Sequence, residues 1–465
     1  MKAIGRIIRI MAGSAIVIAA SCSIAGCGGS KEVKSGSEEA KAIYADRVKD
    51  TFIKAWKAYK DYAWGLDAVN PIAEKGHNWY SEPLLMTPVD AYSTMCIMGL
   101  EEEKKEAKDL IFNNLNFDKD MEIQQFEIAI RIMGGLLSAY QLDGDPRFLE
   151  LAEDLGKRMM PVFESPTGMP YRLVNLRTGE VNGEITNPCE VGSMLLEYGM
   201  LSKLTGNPEY YDKCKRGVQA VFDRRAPKTD LVGTNINVET GEWINKEAHI
   251  SGCIDAYYEY LLKGWLLFGD EDLKEMWDVC KKGIAEYLAD EQPTGFWYGA
   301  ADMETGERTR TVWGALDCFY GGCLCLDGDI ETAKKLQASI NKMWNMHGLE
   351  PEAIDYTDMS IIAPYYMARP EAIEANYYLW HFTKDPQYYE MGKRMFEGIE
   401  QNCQLPNGYC QISDVRTMDK WDTLESFFFA EVMKYCYLFF APDDAFSLDR
   451  CVLNTEAHPF FKTWE

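Results

Sequence analysis

Thr205-Gly206-Asn207-Pro208 closes one helical-period segment, 191–204, and opens the next, and this joint recurs about every sixty residues. Its counterparts are Asp143-Gly144-Asp145-Pro146, Gly269-Asp270, Asp327-Gly328-Asp329 and Thr383-Lys384-Asp385-Pro386. Between them lie segments of helical period, among them 126–141, 254–268 and 372–382. A second series, Thr178-Gly179-Glu180, Thr240-Gly241-Glu242 and Thr305-Gly306-Glu307, is offset from the first and sits among Tyr, Trp, Val and Ile, the signature of short β-hairpins. Each unit therefore reads as a helix pair with hairpins projecting from one end. An open stack of such units needs polar capping repeats. Here the C-terminal stretch, Tyr435 to Phe440 and beyond, reads as buried, so the units predict a closed all-α toroid with a central funnel.

The ends and the bulk composition narrow the setting. Lys2, Arg6 and Arg9 precede an apolar run too short to span a bilayer, and Ile24-Ala25-Gly26-Cys27 matches the lipobox of bacterial lipoproteins. The expectation is a signal peptide over 1–26, a lipidated Cys27, a flexible tether over 27–41 and one domain over 42–465. The protein is then exported to the periplasm or cell surface and touches the membrane only through its N-terminal lipid. Removing Lys2, Arg6 and Arg9 takes the formal charge from −25 to −28, because residues 1–26 contain no acid. Such a surface repels phosphates and argues against nucleic acid as a partner. Twelve cysteines remain beyond Cys22 and Cys27, none in a CxxC pair, and they read mostly as buried thiols. A monomer is expected.

Four segments carry candidate chemistry. In Gln125 to Tyr140, Glu127 and Arg131 are an i,i+4 pair amid apolar residues. On a surface such a pair is worth only about 0.2–0.5 kcal/mol. In apolar surroundings it must be satisfied or line a cavity. Arg369-Pro370-Glu371-Ala372-Ile373-Glu374 puts two acids on one side of a helix start, where they either line a site or complement the helix dipole. Glu425-Ser426-Phe427-Phe428-Phe429-Ala430-Glu431 sets acids at both ends of an aromatic turn, an arrangement suited to sugar hydroxyls and C–H faces as well as to a satisfied core. Asn454-Thr455-Glu456-Ala457-His458-Pro459 offers a hydroxyl and a carboxylate where most chains fray.

Together these segments resemble the class I α-1,2-mannosidases of glycoside hydrolase family 47. Further matching stretches are Ala63-Trp64-Gly65-Leu66-Asp67, Val89-Asp90-Ala91, Gly168-Met169-Pro170-Tyr171, Leu196-Glu197-Tyr198, Tyr257 to Lys263 and Gly348-Leu349-Glu350-Pro351-Glu352. The resemblance runs from about Ala63 to Pro459 and implies an (α/α)7 barrel that removes α-1,2-linked mannose from glycans with inversion, using Ca2+. By the same resemblance Thr455 contacts the ion through its hydroxyl and carbonyl, with Glu431 and Glu456 around it. Glu127 is the general acid and Glu371 the base, while Arg131, Glu197, Arg369, Glu374, Phe427, Glu431 and Glu456 bind substrate. The carboxylates of an inverting pair stand roughly 6.5–9.5 Å apart.

One departure stands out. The family places a further catalytic aspartate before a Cys-Phe-x-x-Gly segment. Aligned on Cys318 and Phe319, this chain has Gly314 there and Asp317 one turn later. Asp317 is therefore the candidate third catalytic acid. The alternative is a slow relative, one of altered specificity, or a surface glycan-binding protein.

Overall fold

The structure is a computed structural model and describes residues 36–442 and 444–464. The signal peptide, Cys27 and most of the tether lie outside the described residues. Among those described, fourteen helices of eight or more residues alternate between an outer and an inner ring. The outer helices are α1 (Glu38–Ala63), α3 (Glu101–Asn114), α5 (Pro146–Met159), α7 (Glu209–Phe222), α9 (Glu271–Gly283), α11 (Ile330–Asn345) and α13 (Pro386–Asn402). The inner helices are α2 (Met86–Met98), α4 (125–143), α6 (Leu195–Thr205), α8 (Asp255–Phe268), α10 (Phe319–Leu326), α12 (Glu371–Thr383) and α14 (428–440). Each inner helix packs on the next, and α14 returns to pack on α2, which closes the ring. The expected toroid is thus an (α/α)7 barrel.

Sequence pattern decides which ring a helix joins. Outer α5 buries Phe148, Ala152, Leu155 and Met159, a stripe of helical spacing, and turns its charged residues outward. Inner α8 is buried over nearly its whole circumference, as an almost continuous apolar sequence requires. The joints between rings are as short as the repeat implies. Gly144, Gly206 and Gly269 end inner helices at φ of 82°, 77° and 70°, where a side chain would be strained. Asp145, Asp270 and Asp385 then cap the next outer helices through their carboxylates, each cap contributing about 1 kcal/mol. In the same way Ser37 caps α1, so this helix begins at Glu38, ahead of the boundary read at residue 42.

The connections at the other end, outer to inner, are long and carry the strands. Strands of successive connections pair antiparallel: Glu122–Gln124 with Leu173–Asn175, Ile185–Thr186 with Asn235–Asn237, Glu247–Ala248 with Ala300–Asp302, and Val312–Gly314 with Ala353–Asp355. Single bridges, Tyr366 to Ile412 and Val69 to Leu424, continue this collar round to the first connection. A last hairpin, Cys451–Leu453 with Pro459–Phe461, packs on α8 and α4. All twelve described cysteines are free thiols, and only Cys96 and Cys253 are not buried.

Candidate active site

Every inner helix starts at the collar, so the first turns of this ring, the positive ends of the helix dipoles, converge there. Acids are favoured at such positions. A cavity of about 290 Å³ lies among these turns. It is lined by Glu127 and Arg131 from α4, Asp255 and Glu259 from α8, Glu371 and Glu374 from α12, and Phe427 and Glu431 at the start of α14. Arg369 enters from the connection before α12, and Thr455 and Glu456 come from the tip of the C-terminal hairpin. Residues scattered across the chain thus meet at one place.

Arg131 sits at the centre of the charge network. Its Nη2 is 3.0 Å from Glu127, its Nη1 pairs with Glu456, and Asp90 lies 3.9 Å away. The guanidinium also stands 5.3 Å from the Trp79 ring and 5.7 Å from that of Phe427. Against the pull of burial, Glu456, Glu127 and Asp90 hold Arg131 firmly charged. Both Arg131 and Glu431 occur in π-turns, Ala129–Met133 and Phe428–Val432, where one extra residue per turn re-aims a side chain.

The tip of the hairpin is fixed from all sides. Asn454 donates from Nδ2 to the Ile130 carbonyl at 3.1 Å and to Glu197 at 2.8 Å, while its Oδ1 accepts from the N–H groups of Glu456 and His458. Tyr260 donates to the same Glu197 oxygen, and its hydroxyl accepts from the Thr455 N–H. His458 bonds Asp90 through Nε2 and Ser93 through Nδ1, and Lys434 donates to Ser93 and to the Ala457 carbonyl. Ala457, at a φ of 55°, makes the tight turn that this requires.

Glu371, Glu374, Asp255 and Glu431 are shifted from their solution behaviour. Burial raises Glu371 to about 8 against the pull of Arg369, and raises Glu374 to about 7 against Lys263. Burial lifts Asp255 to about 6. Burial and the neighbouring Glu456 push Glu431 well above the carboxylate range. Glu371 Oε2 is buried without a hydrogen-bond partner. Glu374 accepts from Tyr435 at 3.0 Å and lies 3.7 Å from Lys263, itself paired with Glu259. Seven carboxylates and two guanidinium groups line the cavity.

Two residues read from the sequence lie elsewhere. Glu197 is wholly buried behind the hairpin tip, tied to Asn454 and Tyr260, and does not line the cavity. Asp317 lines the adjoining cavity, because the 3₁₀ turn Leu316–Cys318 folds its carboxylate back to accept from the Gly314 N–H at 3.0 Å. Asp255, to which the sequence assigns no role, lines the main cavity instead. Asp255 and Glu259 are an i,i+4 pair in an apolar run, the criterion that singled out Glu127 and Arg131, so the signal was present.

Comparison with known proteins identifies the family. Residues 51–462 match the model of glycosyl hydrolase family 47. The chain belongs to glycosyl hydrolase family 47. Among its relatives are an alpha-mannosidase I of Arabidopsis thaliana, 35% identical over 89% of this chain and 76% of its own length, and the mannosyl-oligosaccharide 1,2-alpha-mannosidase IB of Mus musculus, 33% identical over 89% and 69%. In structure it is similar to the alpha-1,2-mannosidase from Trichoderma reesei, with a TM-score of 0.84 at 26% identity, covering 90% of this chain and 99% of that one. As a family 47 member the chain is a glycoside hydrolase, and the seven-pair barrel is the frame that brings its acids together.

Proposed function

We propose that this protein is a Ca2+-dependent, inverting exo-α-1,2-mannosidase that trims mannose from mannose-rich glycans. The observation that carries the reading is the meeting of Glu127, Glu371 and Thr455, from two inner helices and the C-terminal hairpin, in one acid-lined cavity. The names of the relatives, mannosyl-oligosaccharide 1,2-alpha-mannosidases among them, support the substrate class.

A terminal mannose enters from the collar, with Phe427 offering an aromatic face, and Arg131 and Arg369 with the acids of α12 and α14 receiving its hydroxyls. Glu371, in its ionised form, takes a proton from a water that attacks the anomeric carbon on the face opposite the leaving group. Glu127 protonates the departing oxygen. Asp255, with its pKa raised by burial, is a second source of that proton. The donor set suits a hard cation. It is all oxygen and strongly acidic, although among the described residues no three His, Cys, Asp or Glu side chains converge into a cage. Thr455 would hold Ca2+ through its hydroxyl and carbonyl, with waters kept by Glu431 and Glu456. When bound, the ion supplies positive charge that orients sugar hydroxyls.

The binding-only reading drawn from Gly314 is not favoured, since Asp255 lines the same cavity as Glu127 and Glu371. We further propose export as a lipoprotein anchored at Cys27, supported by the lipobox alone; loss of radiolabelled palmitate incorporation in Cys27→Ser tests it. For the enzyme, α-1,2-mannobiose is assayed with and without chelator while the released sugar is followed by NMR. β-Mannose that appears only with calcium is expected. Hydrolysis that survives both chelation and Glu371→Gln would falsify the mechanism.

A further inference from the structure

The hairpin that follows α13 pairs Gln404–Leu405 with Gly408–Tyr409 across a tight turn at Pro406-Asn407. Gln404 faces Tyr409, so one step further from the turn Cys403 stands opposite Cys410. The Cys410 N–H donates to the Cys403 carbonyl at 2.8 Å, which carries the ladder through this pair. Residues opposite each other across an antiparallel ladder put their side chains on the same face, with Cα atoms about 4.5–5.5 Å apart. A disulfide spans about 4.4–6.8 Å between Cα atoms. Both residues are buried, and in the structure both are thiols.

No other two cysteines among the described residues face each other across a ladder. Cys451, in the last hairpin, faces Phe461. Cys189 donates its N–H to the Cys253 carbonyl, but its thiol stands 3.7 Å from Ser193 Oγ. Cys403 and Cys410 are also close in sequence, so they meet as soon as this local hairpin forms. Burial pushes both thiols up, Cys410 to about 11. Since the thiolate is the attacking form, the pair reacts while the chain folds and is inert afterwards.

We propose that Cys403 and Cys410 form a cross-strand disulfide when the chain folds in contact with a disulfide oxidant. One thiolate attacks a sulfur of the oxidant, which leaves a mixed disulfide and releases a thiol. The second thiolate attacks the cysteine sulfur of that mixed disulfide and releases the other half of the oxidant, also as a thiol. Two S–H bonds are lost and one S–S bond forms, and the oxidant carries away both electrons and both protons. The link braces the end of α13 against the strand Gln411–Asp414. There Gln411 holds the Met367 carbonyl at 2.9 Å and Ile412 bridges Tyr366, just ahead of Arg369. An oxidising compartment is the setting this requires. The proposal is independent of the mannosidase reading.

For the test, the full chain is synthesised cell-free in a buffer of reduced and oxidised glutathione. Its soluble fraction is denatured, alkylated without reductant and digested with trypsin. Residues 395–416, between Arg394 and Arg416, form one tryptic peptide that carries Cys403 and Cys410 and no other cysteine. By mass spectrometry this peptide is expected to be unalkylated and lighter by two hydrogen atoms than its reduced form. Alkylation of both cysteines, or a link from either one to another cysteine or to glutathione, overturns the proposal. Thermal melts are the second measurement. The chain made with glutathione is expected to melt a few degrees above the chain made with reductant, and Cys403→Ala combined with Cys410→Ala to abolish that difference. Equal melts for the two wild-type preparations overturn the brace.

Discussion

Arg131 shows how much of the site depends on single side chains. It bridges α4 to the hairpin tip through Glu127 and Glu456 and is almost wholly buried. Removing one partner of a buried ionic cluster costs about 3–5 kcal/mol, because the rest stay buried and uncompensated. Arg131→Met is therefore expected to lower the melting temperature and abolish turnover, and Arg131→Lys to restore folding more than activity, since an ammonium lacks the two-pronged geometry. Thermal melts and mannobiose assays on both variants check this. Glu371 should behave differently. Its carboxylate is buried beside other acids, so Glu371→Gln is expected to cut kcat about 10²–10⁴-fold while leaving the melting temperature level or raised. A variant that loses stability in step with activity would mark Glu371 as structural.

At the level of elements, the contact between the C-terminal hairpin and α4 is the sensitive joint. Gly134 lies inside α4, where alanine would ordinarily stabilise a helix by about 1 kcal/mol. Here a Cβ would fall 2.7 Å from Asn454 Nδ2 and 3.2 Å from His458 Cδ2. Gly134→Ala is thus expected to destabilise the chain and to weaken calcium binding, read by thermal melts and calcium calorimetry. If the variant is more stable and binds calcium unchanged, the hairpin does not hold the Thr455 site in place. The two π-turns belong to this scale as well, since they aim Arg131 and Glu431 inward. Helical periodicity could place both helices but could not reveal the turns.

For the whole molecule, the sum of buried acids sets the response to pH. Burial raises Glu197 and Glu371 to about 8, and Glu374 and Asp317 to about 7, against roughly 4 in an unfolded chain. The folded state then holds more protons than the unfolded one across that window. The stabilisation is full below the unfolded values and is lost as pH rises through the folded ones. His249, lowered to about 4 by burial, and His381 and His458, also lowered by burial, work in the opposite direction below roughly 6.5, but the raised acids, Asp255, Glu431 and Glu456 among them, outnumber them. The metal-free chain is therefore expected to melt higher at pH 5 than at pH 8, with calcium closing much of the gap. A flat profile in chelator would contradict this. Geometry at this scale also bears on the proposed anchor. α1 runs toward the collar, so Glu38 lies at the opposite end of the barrel from the acid cavity. The acylated chain on vesicles is expected to hydrolyse soluble mannobiose as fast as a chain lacking residues 1–35; a marked loss would mean that the bilayer covers the cavity.

The alternation of apolar and amphipathic helical segments, the Gly-Asp joints and the Thr-Gly-Glu hairpins determined the barrel, because each is a local consequence of backbone sterics and of burying a stripe or a whole helix. The acidic clusters at residues 369–374 and 425–431 and the hexapeptide at 454–459 were legible for the same reason, as charges in surroundings that penalise them. Which acids meet was not local information. Asp317 follows Gly314 closely yet turns into the neighbouring cavity, Glu197 is taken up by the hairpin, and Asp255, legible as a charge in an apolar run, shares a cavity with Glu127 and Glu371 only once the ring closes. Closing the ring fixes those directions, since a side chain's neighbours across a barrel depend on helix rotation and connection geometry, which no sequence spacing encodes.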